Sequence, residues 1–101
     1  MEYSGFEWDP EKAAANFIKH GVMFETAVKV FNDVNRLEYI DEGHSEREDR
    51  IITIGMAGKV LFVVFTERGS RARIISARLA NRKEKEIYEY HLYSGDGDEH
   101  Q

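Results

Sequence analysis

The residues best suited to chemistry are the cations between positions 68 and 85 of this 101-residue chain. This basic strip holds seven Lys/Arg against a single acid, Glu84, although the whole chain carries a formal net charge of −5 at pH 7. Guanidinium and ammonium groups bind phosphate oxygens, and an aromatic ring such as Tyr88 can stack on a base. The strip therefore indicates a polyanionic partner. Alternatively, the strip is a solvated face whose cations pair with acids of the same chain. For Tyr88 the alternative is that its ring packs the last helix on the sheet.

Proton transfer and metal chemistry have fewer candidates. Histidine titrates near neutral pH, so His20 suits general acid or base catalysis, or else it is a cation favoured by a helix C-terminus. The chain has no cysteine, which excludes disulfides and thiolate chemistry. Asp41, Glu42 and His44 could bind a metal ion, but acidic loop residues are usually just solvated. We expect neither metal nor cofactor.

Two helices are predicted in the first third of the chain. Asp9 caps the first helix and Pro10 begins it, because the proline lacks an N–H that would have no partner there. Gly21 is expected to end this helix, because glycine readily adopts the left-handed backbone conformation found just after helix ends. The buried side of this helix is expected to consist of Ala13, Ala14, Phe17 and Ile18. The apolar spacing of the second helix gives one face, made of Phe24, Ala27, Val28 and Phe31.

The remainder alternates as strands and ends in a helix. The strands are predicted at 6–8, 36–41, 50–56, 59–66 and 71–78, with a two-residue hairpin turn at Ala57 and Gly58. The segment 59–66 is apolar on both faces and should be central. Asn81 and Glu84 have capping-box spacing, which predicts a helix from Arg82 to about Leu92. The order β-α-α-β-β-β-β-α predicts an α+β domain whose mainly antiparallel sheet is covered by helices on one face.

The expected domain spans 1–93, followed by a disordered acidic tail at 94–101. The apolar run 60–65 is far shorter than the ~20 residues of a membrane helix, and we see no secretory segment, so a cytoplasmic protein is expected. Strand geometry separates Arg73 from Arg78 by about 16 Å and, at an odd spacing, puts them on opposite faces. Arg78 is expected to share a groove with Arg82 and Lys85.

Two stretches resemble a known family: "FEWDPEKAAANFIKHGVMFETA" (6–27) and "RIITIGMAGKVLFVVFTERGSRARIISARLANRKEKEIY" (50–88). Their W-D-x-x-K-x-x-x-N-x-x-K-H-G and R-I-I-S-A-R blocks resemble the BrnT ribonuclease toxins of type II toxin–antitoxin pairs. The resemblance implies a compact RelE-like fold and metal-independent RNA cleavage that arrests translation. It also implies neutralisation by a BrnA-like ribbon-helix-helix antitoxin, a toxin–antitoxin heterotetramer, and operator DNA bound only through the antitoxin.

The positions that match the family, together with Glu48 in the loop before Arg50 and Arg82 on the last helix, give a site hypothesis. Arg68 and Arg78 would clamp the transition state, and His20 or Glu48 would move the protons. The expected RNA contacts are Lys19, Arg50, Arg73, Arg82, Lys85 and Tyr88. A domain that binds nucleic acid without cutting it, or an inactive relative kept for protein interaction, is the alternative.

Overall fold

The computed structural model describes residues 3–44 and 48–98, which form one sheet and three α-helices. In chain order the elements are β1 (Gly5–Glu7), α1 (Pro10–His20), α2 (Phe24–Val28), β2 (Leu37–Ile40), β3 (Ile51–Ala57), β4 (Lys59–Arg68), β5 (Arg71–Leu79) and α3 (Arg82–Asp98). A 3₁₀ turn, Lys29–Asn32, extends α2, and another spans Glu42–His44. The predicted order and the α+β class are confirmed.

The five strands lie in the order β1-β5-β4-β3-β2, so the prediction that the apolar segment is central is confirmed. Strand β1 pairs parallel to β5, and every other pair is antiparallel. The hairpin between β3 and β4 is tighter than predicted, because Ala57 already pairs with Lys59. Gly58 alone makes the turn at φ 78°, a left-handed conformation that favours glycine.

Helices cover both faces of the sheet, so the expectation of a single covered face is wrong. One apolar cluster joins α2 residues such as Phe24 to Val63 and Phe65 of β4. The other joins Tyr88 of α3 to Val60 of β4. Alternate residues of β4 point to opposite faces, and a strand that is apolar on both needs cover on both.

Of the four residues predicted to form the buried side of α1, only Ala13 packs against the core. Phe17 and Ile18 are 51% and 85% exposed, whereas Asn16 is buried. The Asn16 amide donates to the Ala77 carbonyl at 2.8 Å, and its oxygen accepts from the Ala77 N–H at 3.1 Å. Strand β5 pairs with β1 only as far as Arg73, so its outer edge beyond that point needs other partners. Asn16 satisfies that edge and fixes α1 there.

The predicted ends of α1 are confirmed. Asp9 accepts from the Glu11 N–H at 2.9 Å, and Gly21 ends the helix at φ 72°. Helix α3 continues to Asp98, beyond the expected end at Leu92 and into the segment expected to be disordered, of which 99–101 lie outside the described residues. None of the helices in the described part of the chain has the length and apolarity to cross a bilayer.

Candidate functional site

A cavity with many charged lining residues lies where β4, β5 and the start of α1 meet. The cavity has a volume of about 220 Å³. Its charged lining residues are Asp9, Lys12, Glu48, Arg50, Arg68 and Arg73, and its other lining residues are Thr66, Ile74 and Ile75. We call this cavity the polar cleft. Its lining has four cations and two carboxylates, which makes it attractive to an anion.

A β-bulge decides which arginines share a face of β5. Phe65 pairs with Ile74 and Val64 with Ser76, so Ile75 has no partner on β4. The extra residue reverses the alternation between Arg73 and Arg78. Arg73 pairs with Thr66 and Arg78 with Phe62, and these partners lie four residues apart on β4, hence on one face. The expectation of opposite faces is therefore wrong.

Within the polar cleft, Arg68 is held by Glu48. Its Nε donates to Oε2 and its Nη2 to Oε1, both at 3.2 Å, which is bidentate pairing. The two side chains are 49% and 44% exposed. An ion pair this exposed is worth only about 0–1 kcal/mol, because water screens it. A competing anion can therefore displace Glu48 from Arg68 at small cost.

Arg73 reaches out of the cleft to β1. Its Nη1 donates to Glu7 at 2.8 Å, and Arg71 donates to the same carboxylate at 3.2 Å. The hydrogen bond from Arg73 is the main reason that the pKa of Glu7 lies below its ordinary value. Because one carboxylate faces two guanidinium groups, this cluster keeps a net positive charge beside the cleft.

Arg78, the predicted clamp, is fixed at the junction of β5 and α3. It donates to both carboxylate oxygens of Glu84 at 2.9 Å and to the Leu79 carbonyl at 3.2 Å, and it stacks 4.0 Å from the centroid of Phe62. Burial alone would raise the pKa of Glu84, but the bonds from Arg78 and from the Asn81 N–H bring it below its ordinary value. The predicted capping box is confirmed, with Asn81 and Glu84 exchanging bonds of 2.8 Å. This arginine is therefore anchored from several sides.

The groove expected for Arg78, Arg82 and Lys85 does not coincide with the polar cleft. None of the three is among the residues that line it. Arg82 contacts Glu86 at 3.4 Å with 91% of its side chain exposed. Lys85 lines another cavity, of about 420 Å³, together with Met56. The cations predicted to act together are therefore distributed over several surfaces.

His20 and Lys19 stand at the other end of α1 from the polar cleft. His20 lines a largely apolar cavity of about 590 Å³ with the half-exposed Phe17 and Met23. Lys19 is exposed. Lys12, near the start of α1, lines the polar cleft. It lies eight residues before His20, which is about 12 Å along the helix axis at 1.5 Å per residue. The structure thus brings Glu48, Arg50, Arg68 and Arg73 together and leaves His20 elsewhere.

Tyr88 lies in the apolar core under α3, with only 3% of its surface exposed. Its hydroxyl donates to Asp33, and burial together with that bond raises its pKa to about 12. Asp33 also accepts from the backbone N–H groups of Met56 and Asn35, each at 2.8 Å. A ring enclosed in this way is not open to a base, which favours the packing interpretation. Among the described residues, no three His, Asp or Glu side chains are placed to hold a metal ion.

Comparison with known proteins identifies the family. Residues 8–84 match the family described as "Ribonuclease toxin, BrnT, of type II toxin-antitoxin system". The chain belongs to the BrnT family. Its fold is similar to that of the ribonuclease toxin BrnT of Brucella abortus, solved at 1.1 Å resolution, with a TM-score of 0.60 and 24% sequence identity over 77% of this chain and 97% of that one. Comparison with curated proteins gives no match.

BrnT membership confirms the resemblance seen in the sequence and makes the chain a toxin of the type II class, a ribonuclease at the level of the family description. A type II toxin has an antitoxin partner, so the family also implies one here. The Brucella BrnT structure, at its level of identity, supports the fold alone.

Three residues of the polar cleft were missed by sequence reasoning about catalysis: Asp9, Lys12 and Thr66. Asp9 and Lys12 belong to the W-D-x-x-K block that carries the BrnT resemblance, so that block contained a signal for them. Thr66 stands in an apolar strand where threonine is an ordinary β-former, and nothing in the local pattern distinguishes it. In the folded chain the two BrnT blocks meet at this cleft and at the Asn16–Ala77 bonds.

Proposed function

We propose that this BrnT-family chain is a cytoplasmic toxin that cleaves RNA without a metal ion and so arrests translation, with the scissile phosphodiester held in the polar cleft. The observation that carries the proposal is the convergence of four cations, two carboxylates and a buried hydroxyl on one cavity of about 220 Å³. Cations around a small cavity favour a phosphodiester, while the net charge of −5 limits indiscriminate binding to nucleic acid.

The chemistry needs two proton transfers and stabilisation of the charge on phosphorus. Glu48 accepts the proton of the 2′-OH as the 2′ oxygen attacks phosphorus. Arg68 and Arg73 stabilise the charge that develops on the pentacoordinate phosphorus. The bond from phosphorus to the 5′ oxygen breaks, and that oxygen takes a proton from Lys12, because lysine gives up a proton more readily than arginine. The products are a 2′,3′-cyclic phosphate and a 5′-hydroxyl end.

The pair of Arg68 and Glu48 gives this scheme its order of events. In the free chain, Arg68 holds the carboxylate at 3.2 Å by both oxygens. An entering phosphate competes for the same guanidinium edge, since phosphate and carboxylate bind it in the same bidentate way. Glu48 is thereby released next to the phosphate, where a general base is required. Substrate binding and activation of the base are coupled in one exchange.

Other residues from the sequence hypothesis take different roles. In this proposal Arg78 braces the junction of β5 and α3 through its bonds to Glu84. Glu48 rather than His20 is the general base, because Glu48 lines the polar cleft. RNA contacts by Lys19, Arg82 and Lys85 stay predictions.

For the partner we propose a ribbon-helix-helix antitoxin that forms a heterotetramer with the toxin and binds operator DNA itself. Covering the polar cleft with acidic side chains would exclude RNA and stabilise the cations of the cleft at once. An acidic segment could take the place of Glu48 on Arg68, because the two bonds of that pair are 3.2 Å long and both of its side chains are about half exposed.

The test is to incubate the purified protein with RNA in EDTA. We expect fragments with 5′-hydroxyl ends from the wild-type protein and far slower formation of fragments by Glu48→Gln, which keeps the shape of the side chain and removes the base. Arg71→Ala is the matched control for Arg68→Ala. The two arginines are 48% and 49% exposed and each contacts a glutamate at 3.2 Å, but Arg71 does not line the polar cleft.

Two other results would reject the proposal. A shift of RNA mobility without fragments indicates a nucleic-acid-binding module, and neither shift nor fragments indicates a protein-interaction module. Equal cleavage by the wild type and Glu48→Gln would remove Glu48 from the mechanism and leave the assignment of the base open to His20.

A further inference from the structure

The hydroxyl of Thr66 stands out within the polar cleft because nothing in the described part of the chain bonds to it. Thr66 is 2% exposed and lines the cavity from β4, opposite Arg73. Its Oγ1 is buried and has no hydrogen-bond partner among the described residues. A buried hydroxyl without a partner lowers stability, since it has given up its bonds to water. Such a group calls for an explanation from outside the fold.

Thr53, the other buried threonine of the sheet, shows what a structural hydroxyl looks like here. It is fully buried, donates to the Leu37 carbonyl at 2.8 Å and accepts from Arg36 at 2.9 Å. Both capacities of that hydroxyl are used inside the fold. Thr66 makes neither kind of bond to any residue that the structure describes, and valine would suit a buried strand position at least as well. The fold therefore gives no reason for the oxygen at position 66.

The surroundings of Thr66 indicate what its hydroxyl binds. The polar cleft has about 220 Å³, while a water molecule occupies about 30 Å³ of the liquid, so there is room for a group much larger than one water. Arg68 and Arg73 on the same sheet face favour an anion there. A hydroxyl can donate one hydrogen bond to such an anion without adding charge. A tetrahedral oxyanion offers oxygens to the cations and to the hydroxyl together.

We propose that the polar cleft is a binding site for a phosphate-type oxyanion in which Thr66 Oγ1–H is the neutral donor, bonded to a non-bridging oxygen. In RNA that oxyanion is the scissile phosphodiester, so this part rests on the proposed function. The site itself does not, because phosphate binding requires no cleavage. Thr66 thus contributes to ligand binding at the expense of the stability of the free chain.

The test compares Thr66→Val with Thr66→Ser, and with Thr53→Val as the structural control. Without ligand, we expect Thr66→Val to unfold at the same or a higher temperature than the wild type, and Thr53→Val to unfold at a lower one. Inorganic phosphate should raise the unfolding temperature of the wild type and of Thr66→Ser, and much less that of Thr66→Val. A dinucleotide with a 2′-O-methyl group at the reacting position should do the same, since it binds but cannot be cut.

Single-turnover cleavage gives the second readout. If the chain cuts RNA, Thr66→Val should slow cleavage by about ten- to a hundredfold, which is the weight of one hydrogen bond to a charged group, and Thr66→Ser should restore most of it. If phosphate stabilises the wild type through Thr66 but RNA is not cut, the anion site stands and the proposed function fails.

The inference is wrong if neither phosphate nor the dinucleotide stabilises the wild-type protein. It is equally wrong if Thr66→Val loses as much stability as Thr53→Val and keeps its full response to phosphate. That result would mean that water satisfies the hydroxyl and that Thr66 serves the fold.

Discussion

Two arginines of the same sheet face form the same kind of pair in different surroundings. Arg68, at the end of β4, meets Glu48 through two bonds of 3.2 Å, with the side chains 49% and 44% exposed. Arg78, at the end of β5, meets Glu84 through two bonds of 2.9 Å, with the side chains 33% and 16% exposed. Arg78 has the Phe62 ring beneath it as well, and Glu84 has the Asn81 N–H.

The difference teaches that the surroundings, more than the pair itself, decide whether a guanidinium is available to a ligand. Replacing Glu48 on Arg68 costs little, because water already competes for both side chains. Replacing Glu84 on Arg78 would leave a largely buried carboxylate without its main partner and open the first turn of α3. We therefore assign ligand exchange to Arg68 and a bracing role to Arg78.

The largest expected effect is on RNA cleavage by variants of Arg68 and Glu48, the pair that a ligand can separate. Arg68→Ala and Glu48→Gln should each reduce the single-turnover rate by about 10²–10³-fold, as is usual when a transition-state donor or a general base is removed. Their free energies of unfolding should change by no more than about 1 kcal/mol, because the pair is exposed. Quench-flow cleavage and urea unfolding of the same preparations measure the two quantities. Cleavage by Arg68→Ala at the rate of Arg71→Ala would contradict the assignment.

We call Arg78 and Glu84 the braced pair. Its variants should lose stability more than cleavage. Arg78→Ala should lower the free energy of unfolding by about 1–3 kcal/mol, since Glu84 then lacks its bidentate partner. Under conditions where the variant is folded, its cleavage rate should change much less than that of Arg68→Ala. A double-mutant cycle with Glu84→Ala measures the coupling. A stable Arg78→Ala protein that has lost cleavage would restore Arg78 as the clamp.

Local sequence rules were enough to predict the elements around Arg78. Asn81 and Glu84 lie three residues apart, and a capping box depends only on that spacing, so the start of α3 was predictable. The central position of β4 followed in the same way from a run that is apolar on both faces. Arg78 was expected near the start of α3, but in a groove with Arg82 and Lys85. Its partner Glu84 was not predicted, because side-chain pairing between a strand and a helix depends on tertiary packing.

Other features depend on how the strands pair over long distances in the chain, and local sequence patterns do not reveal that pairing. One unpaired residue, Ile75, changes the face on which Arg78 lies, and nothing in R-I-I-S-A-R marks a bulge. Phe17 appeared to be a core residue because apolar spacing ignores the edge of β5, where Asn16 has the better partners. Thr66 could not be found from the sequence, because what distinguishes it is that its buried hydroxyl has no hydrogen-bond partner among the residues that the structure describes.

The braced pair should also make the folding stability of the protein fall in acid. The pKa of Glu84 is lowered from 4.5, since the bonds from Arg78 and Asn81 outweigh the effect of burial. A carboxyl whose pKa is lowered on folding adds stability above its unfolded value, and this stability is lost as the pH falls through the folded value. Unfolding temperatures should therefore decline below pH 4.5, and Glu84→Gln should reduce that decline. An identical decline in the variant would show that Glu84 is not a source of the acid sensitivity.

The smallest effect is expected at a third pair, Arg82 and Glu86, whose side chains are 91% and 63% exposed at i, i+4 spacing on α3. Arg82→Ala should change the free energy of unfolding by at most about 0.5 kcal/mol, because an exposed helical pair contributes no more. The sequence also predicts that Arg82 contacts an RNA phosphate. If so, the variant should bind uncleavable RNA somewhat more weakly, and the slope of log affinity against log salt should fall by about one phosphate contact. Because stability is nearly unchanged, such a difference reports the contact itself. An unchanged salt slope would confine RNA binding to the polar cleft and to cations nearer to it.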